Sequence, residues 1–194
     1  MTEDLSKDIR WRRFHDTSWI CPCCGSAHSG VFDLACSKPD FWQGSEEQKP
    51  NSEVLYSSNI LTQDFCILDS QHFFVRCVLP LPIIGATDQH FGYGVWSTLS
   101  EKNFKLYVDT FDSGQQGDLG PWFGWFSNQL KGYPDTRNLK CQVHPRAERK
   151  RPWIELEDTA HPLAMEQQQG ITFDRLLEIY ALHDHDMRDS LSST

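Results

Sequence analysis

A chain of 194 residues, 39% hydrophobic and 23% charged, carries enough apolar material for one core with a small appendage and falls outside the disordered class. Its formal net charge of -9 argues against nucleic acid or an anionic membrane as partner and favours a protein partner with a basic face. Seven cysteines, odd in number and unevenly spaced, exclude a regular disulfide framework and fit a reducing cytoplasm, where clustered cysteines hold metal or do chemistry.

The opening stretch MTEDLSKDIRWRRF is charged throughout, and the most apolar run, CVLPLPIIG, is short and broken by two prolines. Neither has the layout of a secretion signal or a membrane span. Residues 1–43 carry a cysteine cluster and read as an N-terminal zinc-knuckle segment. The polar stretch 44–53, GSEEQKPNSE, reads as a linker. Residues 54–182 then form an α+β body. DFCILD and HFFVRCVLPLPI predict a hairpin turning at Ser70 and Gln71, and HFGYGVWSTLS a third strand. Within that strand Gly92 and Gly94 mark a bulge or a close backbone contact.

Ser100 is placed to cap a helix whose Phe104, Tyr107, Val108 and Phe111 recur with helical period. Strands are predicted at WFGWFS, NLKCQVHP and PWIELED. Aromatics on both faces of the first, Trp122, Phe123, Trp125 and Phe126, argue for a covered central strand; the functional alternative is an aromatic-lined groove. The basic run Arg146–Arg151 reads as a solvated loop. A short helix over HPLAMEQQQ ends at Gly170, and Thr172 opens a last helix with Phe173, Leu176, Leu177 and Tyr180 on one face. Residues 183–194 lose the apolar period and read as a disordered tail, its His183/His185 pair included, with adventitious metal pick-up as the alternative for that pair. Successive strands with few helices predict a mainly antiparallel sheet with the helices packed on one side.

The stretch ICPCCGSAHSG places three cysteines and a histidine within eight positions. Cys21 and Cys24, at C-x-x-C spacing with Gly25 directly after, can converge on one tetrahedral Zn²⁺, and His28 is within reach as a third ligand. Cys23, between the pair, is the bystander. A thioredoxin-like redox motif would need a helix after Gly25, and GSAHSGVFD is not a helix start. The fourth ligand must come from afar: His161 is taken here, with Cys36, His144 and His72 as alternatives. Without H-E-x-x-H or a deaminase pattern the zinc is expected to be structural. Asp69 and His72, beside the first hairpin, are weak candidates for an acid/base pair, with a local hydrogen bond as the plain alternative. His161 is likewise placed to cap the short helix.

Several pieces together, C-x-x-C-G-x-x-H-x-G at Cys21 to Gly30, KPDFW, CILDSQHFFVR, GYGVWSTLS, GYPDT and HPLAMEQQQGIT, make the chain resemble the bacterial family called domain of unknown function 2199. The likeness runs from about Trp19 to Tyr180. The resemblance implies that Cys21, Cys24 and His28 form one pattern, with Cys23, Cys36 and Cys141 outside it. It brings no reaction with it. Two functions are therefore expected to compete. One is a non-catalytic cytoplasmic zinc-binding protein that binds a protein partner, an immunity protein neutralising a toxin being one concrete form. The other is a small metal-dependent or acid/base enzyme of hydrolase type.

Overall fold

The computed structural model describes residues 4–44, 54–56, 59–87, 89–157 and 160–192, with the backbone alone for 54–56. A short helix, α1 (Ile9–Phe14), is capped by Asp8, whose carboxylate accepts the Arg10 N–H at 2.7 Å. After the cysteine turn come strands β1 (Leu34–Ala35), β2 (Val54–Tyr56), β3 (Asn59–Leu61), β4 (Phe65–Leu68), β5 (His72–Pro82) and β6 (His90–Leu99). Helix α2 (Glu101–Phe111) leads to β7 (Trp122–Trp125), β8 (Lys140–His144) and β9 (Trp153–Leu156). Three helices finish the described chain: α3 (Pro162–Gln169), α4 (Phe173–Leu182) and α5 (Arg188–Ser192).

All of these strands belong to one sheet, with β2-β3-β4-β5-β9-β8-β7 in spatial order and β6 on the far side of β5. The pairings are antiparallel except β1 with β6 and β5 with β9. The sheet is thus mixed rather than purely antiparallel, and antiparallel pairing dominates it. A bridge from Ser97 to Phe126 joins the end of β7 back to β6, so β5, β6, β7, β8 and β9 run round a closed circuit. Gly124 is what lets β7 cross β6 so closely. A Cβ there would stand 2.3 Å from Ser97 Oγ and 2.5 Å from the Thr98 carbonyl.

The alternation of β5 and β6 decides which face takes the helices. Phe73, Val75, Cys77, Leu79 and Leu81 share one face with Phe91, Tyr93 and Val95 across the ladder. The apolar faces of α1, α2, α3 and α4 close over that face in a single core. Helices on one side of the sheet are therefore found as expected. Each fully buried Leu or Phe in that core contributes about 1.5–3 kcal/mol. Trp11, Phe14 and Cys21 lie in this same core, so the N-terminal segment shares its packing with the body.

The opposite face is covered by residues 36–42. Trp42 packs there with Leu61, Cys66, Leu68, Phe74 and Trp96. Polar bonds hold the covering segment in place: Trp96 Nε1 donates to the Cys36 carbonyl at 3.2 Å, and Asn128 Nδ2 donates to the Lys38 carbonyl and to Asp40 Oδ1. Gly92 and Gly94 are close-contact glycines rather than bulges. Asp33 Oδ1 takes the Gly92 N–H at 2.9 Å, and Ala35 lies directly over Gly94.

Three expectations need revision. The aromatic strand β7 is not covered on both faces: Gly124 turns inward, while Phe123 and Trp125 stay 44% and 39% exposed. Val108 likewise stands 38% exposed, because α2 rests on the sheet through Phe104, Tyr107 and the partly buried Phe111. Residues 183–192, read as a disordered tail, carry α5 and bury Met187 and Leu191. Most of the proposed linker, residues 45–53, lies outside the described residues.

Candidate metal centre

The turn at Cys21 is built by backbone bonds. Gly25 N–H donates to the Cys21 carbonyl and Cys21 N–H to the Ser26 carbonyl, each at 2.9 Å. Gly25 sits at φ 71°, a left-handed conformation that the chain adopts most readily at glycine. The turn brings Cys21 and Cys24 to the same side, and His28 returns so that its Nε2 lies 3.1 Å from Cys24 Sγ.

A ring stack fixes that imidazole. His28 lies on Phe32 at 3.9 Å between centroids, and Phe32 lies on Tyr180 of α4 at 4.2 Å. The Tyr180 hydroxyl donates to the Phe32 carbonyl at 2.7 Å and accepts its N–H at 3.0 Å. The knuckle is thus clamped to the last long helix by one buried tyrosine.

The fourth donor arrives from the other end of the chain. After α4 the backbone reverses at Asp184, φ 65°, and the His185 N–H caps the helix on the Tyr180 carbonyl. That reversal carries His185 Nδ1 to 4.0 Å from Cys21 Sγ. Burial of Met187 and Leu191, one helical turn apart, holds the returning segment down. The donor atoms of Cys21, Cys24, His28 and His185 all lie within 4.8 Å of one another.

These four fit a tetrahedral ion. With Zn–S about 2.3 Å and Zn–N about 2.0 Å, tetrahedral donors stand about 3.3–3.8 Å apart, and the 3.1 Å and 4.0 Å separations straddle that range. The protonation states also suit a metal. Its bond from the Ser26 backbone holds the Cys24 thiol below the usual range, and burial with the neighbouring His185 holds His28 towards its neutral form. Cys23 departs from the group: burial pushes its thiol up, and its Sγ donates to the Asp186 carbonyl at 3.2 Å. It secures the returning segment without joining the donors.

Three of the four residues expected from sequence meet here, and the fourth does not. His161 caps α3 instead, its Nδ1 accepting the Leu163 N–H at 3.2 Å. Pro162 at the first helical position follows this cap, as is common at helix starts. The alternatives are engaged elsewhere too. Cys36 lies under the second core, its thiol pushed up by burial to about 11. His144 stands 3.3 Å from Glu155, and His72 opens β5. His185 was read as tail; the Met187/Leu191 pair is the feature of the sequence that points to an anchored segment.

Asp69 and His72 are brought together in one groove of about 800 Å³, lined also by Phe41, Leu68, Phe74, Thr98, Trp125 and Asn138. No hydrogen bond joins the two. Both are exposed, and Asp69 sits with Ser70 in the left-handed positions of the β4–β5 turn.

Fold and site together define a mixed α+β protein with a Cys₂His₂ donor cluster that ties an N-terminal knuckle to a C-terminal helix. The chain belongs to the family described as "Uncharacterized protein conserved in bacteria (DUF2199)", whose model matches residues 20–171. Cys21, Cys24 and His28 fall within that span, and His185 falls beyond it. No curated protein and no solved structure matches the chain. No helix among the described residues is long and apolar enough to cross a membrane.

Proposed function

We propose that this is a non-catalytic cytoplasmic protein that binds one structural Zn²⁺ through Cys21, Cys24, His28 and His185 and acts by binding a basic protein partner, as an immunity protein does when it neutralises a toxin. The observation that carries the metal reading is the closed set of two thiols and two imidazoles drawn from both ends of the fold. Four protein ligands leave no position for a substrate or an activated water, which is the pattern of structural rather than catalytic zinc. The net charge of -9 supports the basic partner, since long-range attraction raises the rate of encounter.

Zinc-edge X-ray absorption on the purified chain tests the closed site. Two sulfur and two nitrogen neighbours are expected; an oxygen neighbour from bound water would move the reading to the metal-dependent enzyme. Identification of the co-purifying protein and of the neighbouring gene product tests the partner. Its association rate should fall as salt rises, because screening acts over about 8–10 Å near physiological ionic strength. The acid/base reading has one observation in its favour, that Asp69 and His72 line the same groove. Turnover of a substrate that His72→Ala abolishes would establish it.

A further inference from the structure

A groove of about 800 Å³ lies on the face of the sheet away from the helices and has a composition of its own. Its walls include Phe41, Phe74, Trp125 and His72, and among the described residues Asp69 is the one acidic residue in its lining. The Phe41 and Phe74 rings stack at 6.1 Å, while Phe123 stands edge-on to Trp125 at 5.1 Å and lines the neighbouring hollow. Of the exposed large apolar side chains, Phe41, Phe123 and Trp125 all border this one region.

We propose that the groove binds the guanidinium or ammonium side chains of a basic segment of the protein partner, held between the Phe41 and Trp125 rings and paired with the Asp69 carboxylate. This deepens the partner-binding reading and rests on it.

Three features select that occupant. The Asp69 carboxylate enters no ion pair or hydrogen bond among the described residues, yet its backbone is pinned, its N–H donating to Asn59 Oδ1 at 2.6 Å. A fixed, unspent negative charge beside aromatic faces suits an organic cation, which the ring quadrupoles attract as well. A purely apolar occupant would strip water from that carboxylate with nothing in exchange, and an anionic one would be repelled. The aromatic walls stand on rigid elements. Phe41 is carried by the segment that Asp40 anchors to the Gln129 N–H at 2.7 Å, and the Trp125 N–H donates to Thr98 Oγ1 at 2.9 Å. Little side-chain freedom is then lost on binding.

The test is a nuclear magnetic resonance titration of the labelled full chain with N-acetyl-arginine amide and, separately, N-acetyl-leucine amide. The arginine probe is expected to shift the Trp125 indole and the Asp69 and Phe41 amides saturably, and more strongly than the leucine probe. Asp69→Asn should weaken it about fivefold, the scale of one exposed ion pair. Asparagine tolerates the left-handed backbone at this position, so the fold is kept. Trp125→Ala should abolish the shifts of the Asp69 and Phe41 amides, with the unchanged dispersion of the remaining amide signals showing that the variant is folded. Equal binding of both probes, indifference to Asp69→Asn, or no shift at all would overturn the proposal. Two further outcomes separate it from the reading beneath it. A partner that binds the wild type and both variants equally leaves partner binding standing and removes this surface from it. Arginine binding as expected, with no protein partner for the wild type, removes the partner and leaves a cation pocket.

Discussion

At the residue scale, the metal centre depends on side chains of two kinds, those that donate and those that aim the donors. His185 is the candidate donor from the far end of the fold, and His161, His72 and His144 are placed elsewhere. Loss of a group that merely orients a ligand costs about 10–100-fold in metal affinity, so His185→Ala should cost at least a hundredfold. Competition with a chromophoric chelator measures this, and wild-type affinity in the variant would remove His185 from the site. Tyr180 belongs to the second kind, gripping Phe32 through two backbone bonds and stacking beneath it. Tyr180→Phe leaves a buried N–H and carbonyl unpaired. It should destabilise the chain by about 1–3 kcal/mol in denaturant unfolding and weaken metal binding about tenfold. An unchanged metal affinity would detach the ring stack from the site.

At the scale of elements, the closed circuit of strands depends on β7 lying tight across β6. Gly124→Ala puts a methyl group where Ser97 Oγ and the Thr98 carbonyl stand, and should cost about 1–3 kcal/mol by overpacking. A neutral result in thermal unfolding would mean that the crossing is looser than described. A metal held by the donor cluster would join different elements, the turn at Cys21 and the segment that carries α5. Chelation should therefore deprotect residues 20–30 and 183–192 together in hydrogen exchange, leaving β5 and β6 protected. Even loss of protection through the sheet would contradict a local staple.

Sequence pattern anticipated the elements wherever the period was clean. The β4–β5 hairpin, β6, α2 with its Ser100 cap, α3 ending at Gly170 and α4 opened by Thr172 all stand where hydrophobic alternation and capping chemistry put them. Helix α1 and strands β1 to β3 are too short for a period to show against the background. The exposure of Trp125 was hidden because a strand's aromatics look alike whether or not a layer covers them.

At the scale of the molecule, one core runs from α1 to α5, and the ion is proposed as the link between its first and last turns. The three donors written in one motif, Cys21, Cys24 and His28, are legible, because their spacing lets them converge on one ion. His185 is not, since its approach depends on a left-handed reversal at Asp184 and on Met187 and Leu191 finding the core, which are tertiary events. If the ion is held there, its binding energy becomes folding energy for the two segments it joins. Metal analysis of protein purified without chelator tests this account most directly. The account predicts about one zinc per chain, lost when Cys21 and Cys24 are both replaced by serine. Zinc below about a tenth of an equivalent, or an equivalent that survives the double replacement, would contradict it.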